Sequence, residues 1–192
     1  MAITTLNLRG INRSDTATSG QVVTATSAVA ADFQDASAGI TEADQWRLTA
    51  GFNANSDPIS SNLERVDDAT SEKIGTGMAV SSGIWTFPST GLWLVRAILK
   101  ANTYDDAFYI NIYGTANDSS YDHLAYGFGG NNHTDTDFFV SSIEAFFNCE
   151  NVSTHKIKFV TSSMAGSGNT QVFADTGANA TCFTFIRLGD SV

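Results

Sequence analysis

Apolar residues in this 192-residue chain recur at every second position or in short runs, and clusters of Gly, Asn, Asp and Ser separate the runs. Such alternation predicts half-buried strands, whereas an amphipathic helix needs an apolar period of about 3.6 residues. We predict strands at residues 45–52, 63–66, 77–80, 84–87, 92–101, 107–113, 124–128, 137–147, 155–161 and 181–188. Ten short strands without an internal repeat predict an all-β sandwich or barrel.

The most apolar stretch, GIWTFPSTGLWLVRAILK at residues 83–100, contains a break that predicts a turn. Pro88 fixes its own φ, and Gly91 tolerates a strained exit from the turn. A membrane span needs about 20 apolar residues, whereas the uninterrupted part, residues 92–99, is shorter and includes Arg96. The stretch therefore predicts two core strands joined at a corner, and no membrane partner.

Charge and cysteine content restrict the partners and the compartment. The formal net charge of −10 argues against direct nucleic-acid binding, which needs clustered Lys and Arg. No secretory signal is apparent, so synthesis in the cytosol is expected. Cys149 and Cys182 lie in separate predicted strands and form no C-x-x-C motif, which favours two buried thiols. Nothing in the sequence predicts a cofactor.

Residues 1–31 differ from the rest of the chain, because they include no aromatic residue and no Pro. Segments as small and polar as TATSGQVVTATSAVAA bury too little apolar surface to fold alone. We predict an extended N-terminal arm and connector at residues 1–43 and a folded domain at 44–192. The residues expected to bind a partner are two cations and a segment suited to strand pairing: Arg9, Arg13, Gln21, Val22 and Val23.

No catalytic constellation stands out. His123 and His133 lie in polar loops, and His155 opens a predicted strand without a nearby nucleophile. The GFGGNN segment at residues 127–132 lacks the Lys and the following helix of a phosphate-binding loop, so we interpret it as a loop between strands. We therefore predict that the protein is not an enzyme.

Asp135 and Asp137, in the segment NNHTDTD, are weak candidate calcium ligands, since alternating carboxylates supply hard oxygen atoms. No EF-hand spacing is present, and Asp-rich loops are commonly soluble turns. We therefore predict no metal site.

Adjacent aromatic residues favour self-association. Phe138-Phe139 and Phe146-Phe147 place large rings on both faces of one predicted strand, and a single sandwich covers one face only. A loop at residues 165–181 is an alternative cover for the second set of rings. We predict a homotrimer held by apolar contacts, with the interface residues Phe138, Phe139, Phe146, Phe147, Phe183 and Phe185. The last two rings are also expected near or in packed interiors, together with Trp85, Phe87, Leu92 and Leu94.

The segment GIWTFPSTGLWLVRA resembles the strand-corner-strand hallmark of the complement globular-head and tumour-necrosis-factor superfamily. ATCFTFIRL, at residues 180–188, is similar to the last strand of that family. The resemblance covers roughly residues 45–190, and it implies a ten-stranded antiparallel jelly roll that usually trimerises. No collagen-like Gly-X-Y stalk precedes it.

Two other segments, NRSDTATSGQVVTATSAVAADFQD and ADQWRLTAGFNANSDPISSNLERVD, resemble virion proteins of tailed phages, especially marine and cyanobacterial ones. This resemblance implies a virion protein made in the host cytoplasm. We expect a capsid decoration (cement) protein whose arm binds the major capsid protein or another virion protein. The alternative is a tail-fibre or receptor-binding tip that contacts a host glycan through Tyr104, Tyr121 and Tyr126. A cellular lectin or adhesin is a third possibility.

Overall fold

The computed structural model describes residues 21–27, 30–35, 39–103, 106–131, 137–164 and 170–191. All the regular secondary structure in these residues is β-strand, which confirms the predicted all-β class. The strands are β1 (Gln21–Ser27), β2 (Ala30–Asp35), β3 (Ala43–Leu48), β4 (Leu63–Arg65), β5 (Ala79–Ser81), β6 (Ile84–Thr86), β7 (Gly91–Thr103), β8 (Asp106–Thr115), β9 (Asp122–Asn131), β10 (Asp137–Cys149), β11 (Lys156–Ser162), β12 (Thr170–Val172) and β13 (Cys182–Gly189).

The chain divides into two compact units, Met1–Gly39 and Ile40–Val192. The first unit contains a two-stranded antiparallel sheet, in which β1 pairs with β2 from Gln21↔Asp35 to Ser27↔Ala30. The segment QVVTATS, expected to pair with a partner, thus pairs with residues of its own chain.

The second unit contains two antiparallel sheets. The six-stranded sheet has the order β10-β7-β13-β3-β4, with β12 also paired to β7, and the five-stranded sheet has the order β5-β6-β11-β8-β9. Each of the ten predicted strands overlaps one of these strands, and β12 is an addition. The predicted jelly-roll sandwich is confirmed.

Strand β7 shows how the sequence positions its side chains. Trp93, Val95 and Leu99 alternate with more exposed residues and are at most 1% exposed. The corner before β7 needs glycine, because Gly91 has φ +144° and a Cβ there would lie 2.5 Å from the carbonyl oxygen of Gly189. The predicted turn and its strained exit are therefore present.

Aromatic rings from both sheets form the centre of the core. Trp85 of β6 lies 4.9 Å from Phe185 and 5.9 Å from Phe183, both on β13, between ring centroids. Phe159 of β11 lies 4.4 Å from Phe183. Trp85, Phe183 and Phe185 are fully buried, Phe87 is 1% exposed, and Leu92 and Leu94 are half-buried. The predicted interior positions are confirmed for the four aromatic residues.

Glycines of β9 make room for side chains of β10. A Cβ added at Gly129 would lie 1.9 Å from Cε2 of Phe139, and one added at Gly127 would lie 2.5 Å from Cγ2 of Ile143. Residues 127–131 belong to strand β9, so the prediction of a loop for GFGGNN is wrong over these residues. The strand accepts glycine because side chains from the facing sheet fill the space.

Candidate interaction surfaces

An apolar row crosses the outer face of the six-stranded sheet. Phe146 of β10 pairs with Leu94 of β7, and Leu94 pairs with Ile186 of β13. Ile186 pairs with Ala43 of β3, and Ala43 forms an isolated bridge with Ile74. Phe146 is 68% exposed and Ile74 is 47% exposed. We call these five residues the apolar row.

Further apolar side chains lie toward the other end of β10. Phe138 is 67% exposed and Val140 is 63% exposed. The ring centroid of Phe138 lies 5.6 Å from that of Phe173, so residue 173 of the loop expected as a cover does contact this ring. The contact leaves most of the Phe138 side chain uncovered. The outer face of β10 therefore has large uncovered rings near both ends.

The structure separates the six residues predicted for the trimer interface. Phe138 and Phe146 lie on the outer face of β10, where a second subunit could contact them. Phe147 is 8% exposed and stacks on Phe87 at 5.1 Å, while Phe139 is half-buried and lies 5.3 Å from Phe108. These two rings, like Phe183 and Phe185, pack inside one protomer. Their assignment to an interface is corrected, because the facing sheet already covers them.

Aromatic side chains also line the outer face of the five-stranded sheet. The ring centroids of Tyr113 and His123 are 4.7 Å apart and nearly parallel, and those of His123 and Tyr126 are 5.5 Å apart. Tyr109 lies 6.0 Å from Tyr126 and 5.5 Å from Phe128. Tyr126 and Phe128 are 63% and 60% exposed. We call these five residues the aromatic face.

Charged groups near the aromatic face are mainly acidic or already paired. The Lys158 ammonium lies 2.6 Å from Oδ1 of Asp57 and 4.9 Å from the ring centroid of Tyr121. Burial, with a smaller contribution from the charge of Asp118, raises the pKa of Tyr121. The exposed Asp122 opens β9 beside His123. Thus, Lys158 has a carboxylate partner, and this end of the face carries further negative charge.

A buried amide supports the aromatic face. Asn111, which pairs with Tyr126 across β8 and β9, is 4% exposed. Its Nδ2 donates to the carbonyl oxygen of Val160 and to Oγ of Ser162, both at 3.2 Å. These hydrogen bonds connect β8 to β11 beside the aromatic face.

Arg47 forms the densest ion-pair network among the described residues. Its guanidinium is almost fully buried and donates to Asp67 and Asp68 at 2.8 Å and to Glu64 at 3.4 Å. All three carboxylates are more exposed than the guanidinium. This network fastens the loop after β4 to β3, which is a structural role.

The described residues provide no group of three or more His, Cys, Asp or Glu that could hold a metal ion. Of the two candidate calcium ligands, Asp135 lies outside the described residues and Asp137 opens β10, where its backbone pairs with Thr103. Cys149 and Cys182 are buried free cysteines, as expected, and burial raises the pKa of both thiols. No helix in the described part of the chain could cross a membrane.

The residues predicted for the arm are described only in part. Arg9 and Arg13 lie outside the described residues. Gln21, Val22 and Val23 belong to β1, and the Val23 side chain is 48% exposed. Their predicted role in binding a partner stays a prediction.

Sequence reasoning found only part of the aromatic face. Of the three tyrosines expected to contact a glycan, Tyr121 and Tyr126 lie at or beside this face, and Tyr104 lies outside the described residues. His123, expected in a polar loop, lies in β9 instead. Tyr109, Tyr113 and Phe128 were also missed. Their alternation with buried residues, in FYINIY and YGF, is the signal that places them on one side of adjacent strands.

No protein-family model matches the chain, and no curated protein matches it. Among solved structures, that of murine APRIL at pH 5.0 is similar, with a TM-score of 0.57 and 10% sequence identity over 77% of this chain and 98% of that chain. The structure of Eiger TNF from S. frugiperda is similar with a TM-score of 0.60 and 11% identity, over 78% of this chain and 94% of that chain. The fold is therefore a TNF-like jelly roll.

Proposed function

We propose that this protein is a trimeric virion structural protein, with a jelly roll that associates through its six-stranded sheet and an N-terminal unit that attaches it to the particle. The observation that carries the proposal is the apolar row, together with the uncovered rings of Phe138 and Phe146. Burial of such side chains against another surface lowers the free energy of the protein in water.

A second copy of the chain is the partner that best matches the apolar row. The row extends across four strands, from Phe146 on β10 to Ala43 on β3, and ends at Ile74. A closed symmetric assembly buries this face in every copy, whereas an open, filament-like assembly leaves the face of the terminal copy exposed. The TNF-like fold supports a trimer as the closed form.

The N-terminal unit supports attachment to a larger particle. Its described sheet has two strands only, and an isolated two-stranded sheet is marginally stable in water. Both strands have an outer edge at which another chain can pair. We propose that this edge, with Arg9 and Arg13, binds the major capsid protein or another virion protein.

The trimer is tested with two matched substitutions in the full-length protein. Phe146→Glu places a charge in the apolar row, and Phe128→Glu places the same charge on the aromatic face at similar exposure. Light scattering should give a trimer mass for the unchanged protein and for Phe128→Glu, and a monomer mass for Phe146→Glu. A monomer for the unchanged protein, or a trimer for both variants, contradicts the proposed interface.

Attachment is tested by adding protein to particles that lack it. Deletion of residues 1–39 should leave a soluble trimer that no longer binds particles. Full occupancy by the deleted protein refutes the anchoring role, and loss of the trimer assigns the N-terminal unit to the subunit interface instead.

Copy number separates the two candidate locations on the particle. A decoration protein is present in many copies on the head, whereas a tail-fibre or receptor-binding tip is present in few. We favour decoration, and the exposed rings of the aromatic face are the observation that favours the tip. Quantitative gel analysis or imaging of purified particles distinguishes them.

A further inference from the structure

We propose that the aromatic face is a binding site for an uncharged saccharide. The face consists of Tyr109, Tyr113, His123, Tyr126 and Phe128, with Tyr121 beside it. This inference rests on the proposed trimer in one respect, because the trimer determines which face of the sandwich stays accessible.

The accessible face follows from the layered architecture. In a two-layer sandwich the outer faces of the two sheets point in opposite directions. A trimer closed through the apolar row on the six-stranded sheet therefore leaves the outer face of the five-stranded sheet uncovered. Tyr126 and Phe128, at 63% and 60% exposed, remain available to a ligand.

The spacing of the rings suits a ligand with apolar faces. Consecutive centroids are 4.7–6.0 Å apart, so the rings are contiguous, with Tyr113 and His123 stacked on each other and the other pairs tilted by 35–57°. Tyr109 to Tyr113 alone extends about 13 Å along β8, at about 3.3 Å per residue. The hydrogen bonds of the buried Asn111, between Tyr109 and Tyr113 on β8, hold this part of β8 against β11. Little ordering is needed for such a surface to bind.

The polar atoms of the same face select a ligand that also carries hydroxyl groups. Each tyrosine ends in a hydroxyl that can donate and accept a hydrogen bond. A sugar ring presents C–H groups on its flat faces and hydroxyls around its rim, which complements both features. A purely apolar ligand would leave the phenol hydroxyls without partners, and this carries a cost when they are buried.

Charge excludes anionic ligands. The Lys158 ammonium lies 5.5 Å from the ring centroid of Tyr113 and already pairs with Asp57 at 2.6 Å. Asp118 and Asp122 lie at the same end of the face, and the whole chain carries a net charge of −10. Phosphate, sulfate and carboxylate groups are repelled by this distribution. The ligand class is therefore a neutral hexose oligomer and not a nucleic acid or an acidic polysaccharide.

The test is an array of neutral hexose oligomers, with heparin and single-stranded DNA as anionic probes, followed by calorimetry on the full-length protein. The unchanged protein should bind at least one neutral oligomer and neither anionic probe. Tyr126→Ala should weaken the affinity roughly 5- to 150-fold, if a sugar face contributes as much as a nucleic-acid base stacked on one ring. Tyr126→Phe keeps the ring and should retain affinity within about threefold, since one hydrogen bond contributes modestly.

Phe128→Ala and Ile40→Ala each remove a large exposed apolar side chain, at 60% and 49% exposure, and Ile40 belongs to neither proposed surface. The first should weaken binding per protomer, and the second should leave it unchanged. Absence of binding to every neutral oligomer, binding of anionic probes only, or equal affinity of the two alanine variants overturns the site. Light scattering on the same samples keeps the outcomes separate: loss of the trimer in Tyr126→Ala identifies the face as a subunit contact and also overturns it.

Discussion

Replacement of Gly129 by alanine tests whether the rings of β10 depend on the missing side chains of β9. The added Cβ would lie 1.9 Å from Cε2 of Phe139 and 2.5 Å from both Cδ2 and Cζ. Carbon atoms in favourable contact are about 3.5–4.0 Å apart, so the Phe139 ring must move. Its freedom is limited, because Phe108 lies 5.3 Å away between centroids.

The expected magnitude combines two opposing effects. Forcing an extra methyl group into a packed site costs about 1–3 kcal/mol. Replacing glycine by alanine restricts the unfolded chain and returns about 0.4–1 kcal/mol. We therefore expect Gly129→Ala to lower the free energy of unfolding by about 1–2 kcal/mol. Gly189→Ala is the control, because nothing lies within 4 Å of its added Cβ, so the effect on the unfolded chain alone should raise stability by about 0.4–1 kcal/mol.

Urea denaturation followed by circular dichroism, at one fixed protomer concentration, measures these differences. A double variant, Gly129→Ala with Phe139→Leu, provides a sharper test. The smaller side chain at 139 relieves the overlap, so the two effects should be non-additive by about 1 kcal/mol in the stabilising direction. Equal stability of Gly129→Ala and Gly189→Ala, or simple additivity in the double variant, would refute the proposed complementarity between glycine and ring.

Three further predictions concern the core, the ion-pair network and the thiols. Trp85→Ala removes the fully buried ring at the centre of the core and should cost about 3–5 kcal/mol in the same urea assay. Arg47→Met leaves three carboxylates without their shared cation and should lower the urea midpoint more than Asp67→Asn, with a smaller difference at high salt; equal midpoints would contradict this role. Burial raises the pKa of Cys149 and Cys182 in the folded protein. The protonated thiols therefore contribute fully to stability below the ordinary thiol pKa, and this contribution is lost as pH rises from that value through the raised folded-state pKa. Both thiols should react with a disulfide reagent only after denaturant is added, and rapid labelling of folded protein would count against their burial.

The fold could be predicted from the sequence where a single strand contains all the information. The alternation from Leu92 to Leu99 determines which side chains of β7 face inward, and Pro88 with Gly91 determines the corner before it. Neither inference depends on any other part of the chain. The same local reasoning identified the last strand, which contains the buried Phe183 and Phe185.

The remaining features depend on contacts between distant residues. Glycines at 127 and 129 indicate a loop in isolation, and they fit a strand because Phe139 and Ile143 occupy the space beside them. Strand β12 has three residues and is defined by its pairing to the end of β7. Adjacent phenylalanines in β10 predict rings on both faces, but the sequence does not indicate which ring of each pair the facing sheet covers.

In β9, small residues face inward and aromatic residues face outward, and this arrangement affects how the protein can evolve. The inward positions 127 and 129 are glycines, while Tyr126 and Phe128 project outward and are 63% and 60% exposed. A new side chain at either outward position therefore alters the surface without repacking the interior. The strand can acquire different binding preferences while stability is maintained elsewhere, so recognition and folding can be selected independently within a few consecutive residues.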